Sequence, residues 1–241
     1  FERQVAEGIV PADTILTERP SWVPDWEQLT SDERRLYSRM HEVYAGFLSH
    51  ADAQIGRFID FLERTGDLDR TLVMVFVGDN GYFHAEHGLA DKWYPHQESI
   101  RVPLIVRDPR MAPSKRGGTN DDFTLNVDLA PSILAATGIK APATMQGRDI
   151  APLYLSAEKP EWREEFFYEF ATVGSEERIP AAEALVRKDW KYFYWPNFKL
   201  EQLFHVAADP FEENDLANDP QQASRLAEMR KRFNELKAAA K

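Results

Sequence analysis

Cysteine is absent from the 241 residues. That excludes disulfides, thiolate zinc centres and a cysteine nucleophile within this chain. It leaves the compartment open, because a disulfide-free protein functions anywhere. No apolar run of about 18 residues occurs, so no membrane-spanning helix is expected. Basic residues are outnumbered, 29 against 40 acidic, giving a formal net charge of -11. A general nucleic-acid binder needs a basic surface, so nucleic acid is not an expected partner. A small anionic substrate stays compatible, since a local pocket can oppose the global sign. The opening Phe1-Glu2-Arg3-Gln4 has neither an initiator Met nor the apolar core of a signal peptide, and the chain is expected to begin inside a longer protein.

Hydrophobic residues make up 43% of the sequence, enough for a packed core. Pro11, Pro20 and Pro24 mark an irregular lead-in. Thr30-Ser31-Asp32-Glu33 reads as a capping box. Behind it, apolar residues recur at three- and four-residue gaps from Leu36 to Leu62, which predicts one long amphipathic helix ending near Gly66. Gly46 and Gly56 inside it cost helix propensity, and close packing would account for both. Thr71 to Val77 is a continuous apolar run, the pattern of a strand buried on both faces in a parallel sheet. A second run covers Val102 to Val106. Asn126 to Ala136 reads as a short helix closed by Gly138.

The fold class expected is α/β: part of a mixed, mostly parallel sheet sandwiched by helices, plus a small C-terminal antiparallel sheet with a packed helix. The sheet is expected from Glu165–Phe170, Glu183–Arg187, Lys191–Trp195 and Gln202–Val206. The helix would begin at Asp219-Pro220 and bury Leu226, Met229, Phe233 and Leu236. The corresponding domain division is 1–158 and 159–241.

The loop after the first buried strand is where chemistry is expected, because ligands bind beyond the carboxyl ends of strands in open α/β sheets. Gly78-Asp79-Asn80-Gly81 offers a carboxylate and a neutral carbonyl there, both hard donors suited to Ca²⁺ or Mg²⁺. The same tetrapeptide also makes an ordinary turn. Downstream, His84 to His96 is dense in polar and aromatic groups, and Glu98-Ser99-Ile100-Arg101-Val102-Pro103 leads into the next strand. His41 and His50 fall inside the long helix and read as structural. Asp52 there reads as a buried hydrogen-bond partner or a surface charge, and His205 is given no role.

Taken in order, these segments resemble the type I sulfatases of the alkaline phosphatase superfamily, in the C-terminal half. The resemblance rests on Ile55-Gly56-Arg57, Asp79-Asn80-Gly81, Lys92, Arg101-Val102-Pro103, Asn126 to Leu134, Gly147-Arg148-Asp149, and Asp209-Pro210-Phe211-Glu212-Glu213-Asn214-Asp215-Leu216. It implies sulfuric ester hydrolysis. Asp79 and Asn80 would be metal ligands, usually for Ca²⁺, with Mg²⁺ or Mn²⁺ as alternatives. Lys92 would be the catalytic residue that contacts the sulfate group. His87 is a candidate for substrate binding. His96, with Trp93 and Tyr94, either lines a pocket for the organic part of the substrate or packs at its rim.

Neither the formylglycine motif C/S-x-P-x-R nor the family's first metal-binding Asp pair is found in this sequence. The resemblance therefore places both in a missing N-terminal half, which becomes a required partner. These residues alone are expected to be inactive and aggregation-prone. The expected substrate is a sulfated small molecule or sulfated sugar, and the family favours a periplasmic or secreted location. Two alternatives remain. One is a phosphonate monoester hydrolase or phosphodiesterase of the same superfamily, which typically has His where this chain has Asn80. The other is a non-catalytic half that binds a partner.

Overall fold

The computed structural model describes residues 2–6, 24–76, 78–84, 86–174 and 179–240. Phe1, Pro11, Pro20, Val77 and Ala85, all part of the expectations above, lie outside them. After a short helix α1 (Glu2–Ala6), the first long element is α2 (Ser31–Thr65). Its start follows from the capping box: Thr30 Oγ1 accepts from Glu33 N at 3.2 Å, and Glu33 Oε2 accepts from Thr30 N at 2.8 Å. Its stop follows from Gly66, which takes φ 74 and donates to Glu63 O. A left-handed closing residue of this kind suits glycine, which carries no Cβ.

The apolar stripe of α2 is largely bare. Leu62 is its one buried residue, while Leu36, Met40, Phe47 and Phe58 are each more than half exposed. Gly46 and Gly56 have nothing within 4 Å of where a Cβ would sit. Close packing among the described residues therefore does not account for them.

Strand β1 (Val73–Phe76) forms inside the first apolar run, and its neighbour is the second run, with β4 at Leu104–Arg107. The ladder is antiparallel, from Val73 opposite Arg107 to Phe76 opposite Leu104. The continuous run had suggested a parallel neighbour. Apolar continuity does not fix strand direction, and among the described residues β1 and β4 make an antiparallel sheet of two strands. Between β1 and β4 lie the hairpin β2 (Phe83–His84) with β3 (Ala90–Asp91), and the short helix α3 (Gln97–Ile100).

The segment Asn126–Asp128 is a 3-10 turn that runs into α4 (Leu129–Ala136), and α5 (Ala151–Leu155) follows. Two of the motifs meet here. Asp128 is fully buried and accepts from Leu125 N and Arg148 N, each at 2.8 Å. It also takes both guanidinium branches of Arg163. Ser132 Oγ accepts from Ile150 N at 3.0 Å. A Cβ on Gly147 would lie 1.9 Å from Val127 O, so glycine is what lets the two segments touch. These motif residues build the scaffold.

The C-terminal region holds the expected antiparallel sheet, built as a meander: β5 (Glu165–Phe170), β6 (Ala182–Arg187), β7 (Lys191–Trp195) and β8 (Leu200–Phe204), all antiparallel and in sequence order. Its alternating pattern supplies two cores. One face buries Leu185, Tyr192 and Leu203 against Met229 and Phe233 of α6 (Ala223–Ala239). The other buries Ala184, Val186, Phe193 and Phe204, with Tyr94, Ile100 and Phe123 packed on them. Each such large apolar side chain removed from water contributes roughly 1.5–3 kcal/mol. The second core matters for function, because it fixes the segment around Tyr94 that follows the candidate loop. His205, which had no assigned role, stacks on Trp190 with ring centres 4.3 Å apart.

Candidate active site

The loop between β1 and β4 is built on strained backbone. Gly78 has φ 141 and Gly88 φ 68. Of five non-glycine residues with positive φ among the described residues, three fall between residues 87 and 93: His87 (φ 53), Asp91 (φ 75) and Trp93 (φ 85). Such conformations cost of order 1–3 kcal/mol each and persist only where the surroundings over-determine them. The surroundings here are visible. Gly81 N donates to Ser99 O at 2.7 Å, and a Cβ on Gly81 would lie 1.8 Å from Glu98 O. Tyr168 Oη donates to Trp93 O at 3.0 Å, tying the loop to β5.

Asp79 is exposed and Asn80 half-buried. Among the described residues neither side chain makes a hydrogen bond or ion pair, and neither does Lys92. Two oxygen donors and an ammonium are thus left unengaged on one strand-end loop. No group of three or more His, Cys, Asp and Glu side chains arranged to hold a metal occurs among the described residues. Asp79 and Asn80 fit a hard divalent cation by chemistry and by their lack of other partners. They would fill two of the six to eight oxygen positions that Ca²⁺ takes.

The two candidate histidines lie side by side, with ring centres 4.5 Å apart, yet their surroundings set them opposite roles. His87 Nε2 is 3.6 Å from Glu98 Oε2. Burial works against its charge, but the Glu98 carboxylate, with Glu212 and Glu213 beyond, outweighs burial and lifts its pKa above the ordinary histidine value. His96 is 7% exposed and is ringed by Phe83, Phe193 and Phe204. Burial, with His87 and Lys191 nearby, pushes its pKa down to about 3. It is a neutral, packed ring. Tyr94 packs edge-on to Trp195 at 5.2 Å.

His84 lies apart from this pair. Its ring is 4.7 Å from Tyr44 and 5.0 Å from Tyr82, with His41 at 6.5 Å. It therefore joins the loop to α2. Asp52 is exposed on α2, which decides for the surface-charge alternative.

Sequence reasoning left three residues of this region without a role. Lys191 is fully buried in β7 and donates to Pro95 O at 3.1 Å. Glu212, held at φ 55, pairs with Lys191 and accepts from Gln97 N at 2.8 Å. Glu98 faces His87. A lysine at an inward position of an aromatic strand was the available signal for the first.

Fold and loop together define an α/β protein whose unengaged polar groups gather at one strand end. Two family models agree on what kind. One described as "Sulfatase" matches residues 12–139, and one described as "N-sulphoglucosamine sulphohydrolase, C-terminal" matches residues 85–239. The chain belongs to the sulfatase family. It is 30% identical over 196 residues to an N-acetylglucosamine-6-O-sulfatase of Bacteroides thetaiotaomicron, covering 80% of this chain and 35% of that protein. It is 28% identical over 199 residues to an arylsulfatase of Clostridium perfringens, covering 82% and 40%. It thus spans well under half the length of these relatives.

A solved structure described as a complex with its substrate D-glucosamine-2-N,6-O-disulfate matches with TM-score 0.70 and 29% identity. The match covers 76% of this chain and 37% of that one. A phosphonate monoester hydrolase of Agrobacterium radiobacter matches with TM-score 0.71 at 23% identity, over 82% and 41%, a likeness of fold alone. Among the described residues no helix is long and apolar enough to cross a membrane.

Proposed function

We propose that this chain is the part of a sulfuric ester hydrolase that carries two of the cation's ligands and the cationic clamp on the sulfate group. The observation that carries the reading is the unengaged state of Asp79, Asn80 and Lys92 on a loop whose backbone is strained and braced from behind. Strain of this kind is held at sites that do something with it. Asp79 and Asn80 would ligate the divalent cation, Ca²⁺ as the family resemblance implies, with Mg²⁺ or Mn²⁺ as alternatives. Such a cation supplies Lewis-acid stabilisation of negative charge when bound. Lys92 presents its ammonium to the sulfate oxygens or to the departing ester oxygen, where charge develops. His87 faces the substrate from the same hairpin, and His96 backs it.

The formylglycine nucleophile and the remaining cation ligands would come from the rest of a chain of the relatives' length, so these residues alone would not turn over substrate. Substrates would be sulfated sugars or sulfated small molecules, met in the periplasm or outside the cell. Asn80 favours sulfate over phosphonate monoesters, because histidine is expected there in the phosphonate enzymes.

The test is Lys92→Ala in a full-length protein, assayed on an aryl sulfate and on a phenyl phosphonate monoester. Loss of a preorganised charge donor at the transition state lowers kcat by about 10²–10³. An unchanged kcat, or a parent enzyme that prefers the phosphonate, would remove the reading.

A further inference from the structure

We propose that Glu98 is a positioning residue for His87: it holds the imidazole as a charged donor on the hairpin that also carries Lys92, and the buried Lys191–Glu212 pair fixes the turn from which Glu98 projects. The role given to His87 rests on the sulfate-ester reading, whereas the coupling between the two residues does not.

The geometry is specific. His87 and Gly88 are successive left-handed residues (φ 53 and φ 68), and the His87 ring lies over His96. A β-carbon at φ 53 is unfavourable, so something must hold the ring there. Glu98 is the group that faces it. Its Oε2 is buried, has no hydrogen-bond donor within bonding distance among the described residues, and has His87 Nε2 at 3.6 Å. The side chains of His87 and Glu98 are 20% and 16% exposed. Water therefore screens their attraction only in part, and an uncompensated carboxylate there would be costly.

The charged and titratable groups around His87 are Glu98 on α3, His96 at the start of α3, Lys191 on β7, and Glu212 and Glu213 after β8. His96 is neutral, and Lys191 is matched by Glu212. That leaves Glu98 as the near, uncommitted negative charge, and His87 as its counter-ion. The pKa directions agree. Burial pushes the Glu98 carboxyl up, yet His87 draws it below the ordinary glutamate value, while His87 itself is raised.

Lys191 and Glu212 set the stage without touching His87. Lys191 binds Pro95 O and Glu212 binds Gln97 N, so the pair grips the turn on both sides of His96. Glu98 is the next residue along. A solvated cation on a flexible stem already exists in Lys92. The Glu98–His87 dyad would add a second cation with a fixed direction, suited to an oxyanion or to protonating a leaving alkoxide.

The experiment is an NMR titration of selectively labelled histidines in a protein of the relatives' full length, with His87 assigned by its loss in His87→Gln. The wild-type resonance is expected to titrate above the ordinary histidine value. Glu98→Gln is expected to lower that midpoint by about one pH unit or more, a tenfold or greater loss of proton affinity. Glu98→Asp is expected to restore part of it. A His87 midpoint that Glu98→Gln leaves in place overturns the proposal. Should Glu98→Gln fail to fold, the wild-type midpoint decides: at or below the ordinary value it overturns the proposal, above it the dyad stands.

Sulfate is then added to the same samples as the probe. A His87 shift response that Glu98→Gln weakens supports the role at the anion. A shifted midpoint with no sulfate response in either protein upholds the coupling and tells instead against the sulfate-ester reading.

Discussion

Lys191 Nζ lies 2.5 Å from Glu212 Oε1, and both side chains are sealed from solvent. Burial draws the lysine down and the glutamate up in pKa, each opposed by the other's charge. The pair joins β7 to the segment after β8 and, through Pro95 and Gln97, to the candidate loop. Breaking it should be worse than replacing it. Glu212→Ala strands a buried ammonium and the amide of Gln97, and should destabilise by about 3–5 kcal/mol. Lys191→Met should cost less, because Glu212 keeps the Gln97 donor and can take up a proton. The double variant Lys191→Met/Glu212→Gln should recover part of the loss. A double-mutant cycle by urea denaturation reads all three, and simple additivity would contradict the pairing.

Asp128 predicts a similar penalty for a different reason. It is the acceptor for two backbone amides and for Arg163, whose side chain is 10% exposed. Asp128→Ala would leave all of these donors without it and should cost about 3–5 kcal/mol. Asp128→Asn keeps one acceptor oxygen and should cost less. Equal losses from the two in thermal denaturation would mean that size, and not acceptance, is what the site needs.

Much of this scaffold was legible in the sequence, since local rules dictate it. Thr30 and Glu33 cap α2, Gly66 ends it, and alternation in Lys191–Trp195 marks β7. The candidate site residues Asp79 and Asn80 were proposed from a turn after an apolar run, and Lys92 only from the family resemblance. What was not legible depends on contacts distant in the chain. The antiparallel partner of β1 is set by β4, some thirty residues on. The charge state of His96 is set by Phe193 and Phe204 in another sheet. Glu98 looks like any surface glutamate until His87 folds back onto it. The apolar stripe of α2 shows the reverse limit: its period fixed the helix, but nothing in that period says what covers it.

Gly81 and Gly46 should answer oppositely to the same substitution. A Cβ on Gly81 would sit 1.8 Å from Glu98 O, and no rotamer relieves a backbone clash. Gly81→Ala should force the Asp79–Gly81 turn off α3 and destabilise by at least about 2 kcal/mol. Gly46 lies in α2, and a Cβ there would meet nothing within 4 Å among the described residues. Gly46→Ala there should stabilise by roughly 0.5–1 kcal/mol through helix propensity. Denaturation midpoints decide, and a loss at Gly46 would mean that its face of α2 is in fact occupied.

His96 predicts how stability falls in acid. Burial above all, with His87 and Lys191 nearby, pushes its pKa in the fold down to about 3 from the ordinary histidine value near 6.5. The unfolded chain therefore binds a proton that the folded chain refuses. Stability from the neutral ring is fully present above about pH 6.5, and is lost steadily as the pH falls toward 3. At pH 5 the loss should be about 2 kcal/mol, from roughly 1.5 pH units at 1.36 kcal/mol each. His87 runs the other way. Its raised pKa adds stability below about pH 6.5, and that gain fades as the pH climbs through its folded value. The two terms oppose each other in acid, and the His96 term is the larger because its shift is the one that spans several units. His96→Phe removes the titrating ring while keeping an aromatic among Phe83, Phe193 and Phe204. Urea midpoints measured from pH 7 to pH 4 should fall steeply for the parent and flatten for His96→Phe. Parallel curves would show that the acid sensitivity lies in the carboxylates, and that the His96 ring is reached by water.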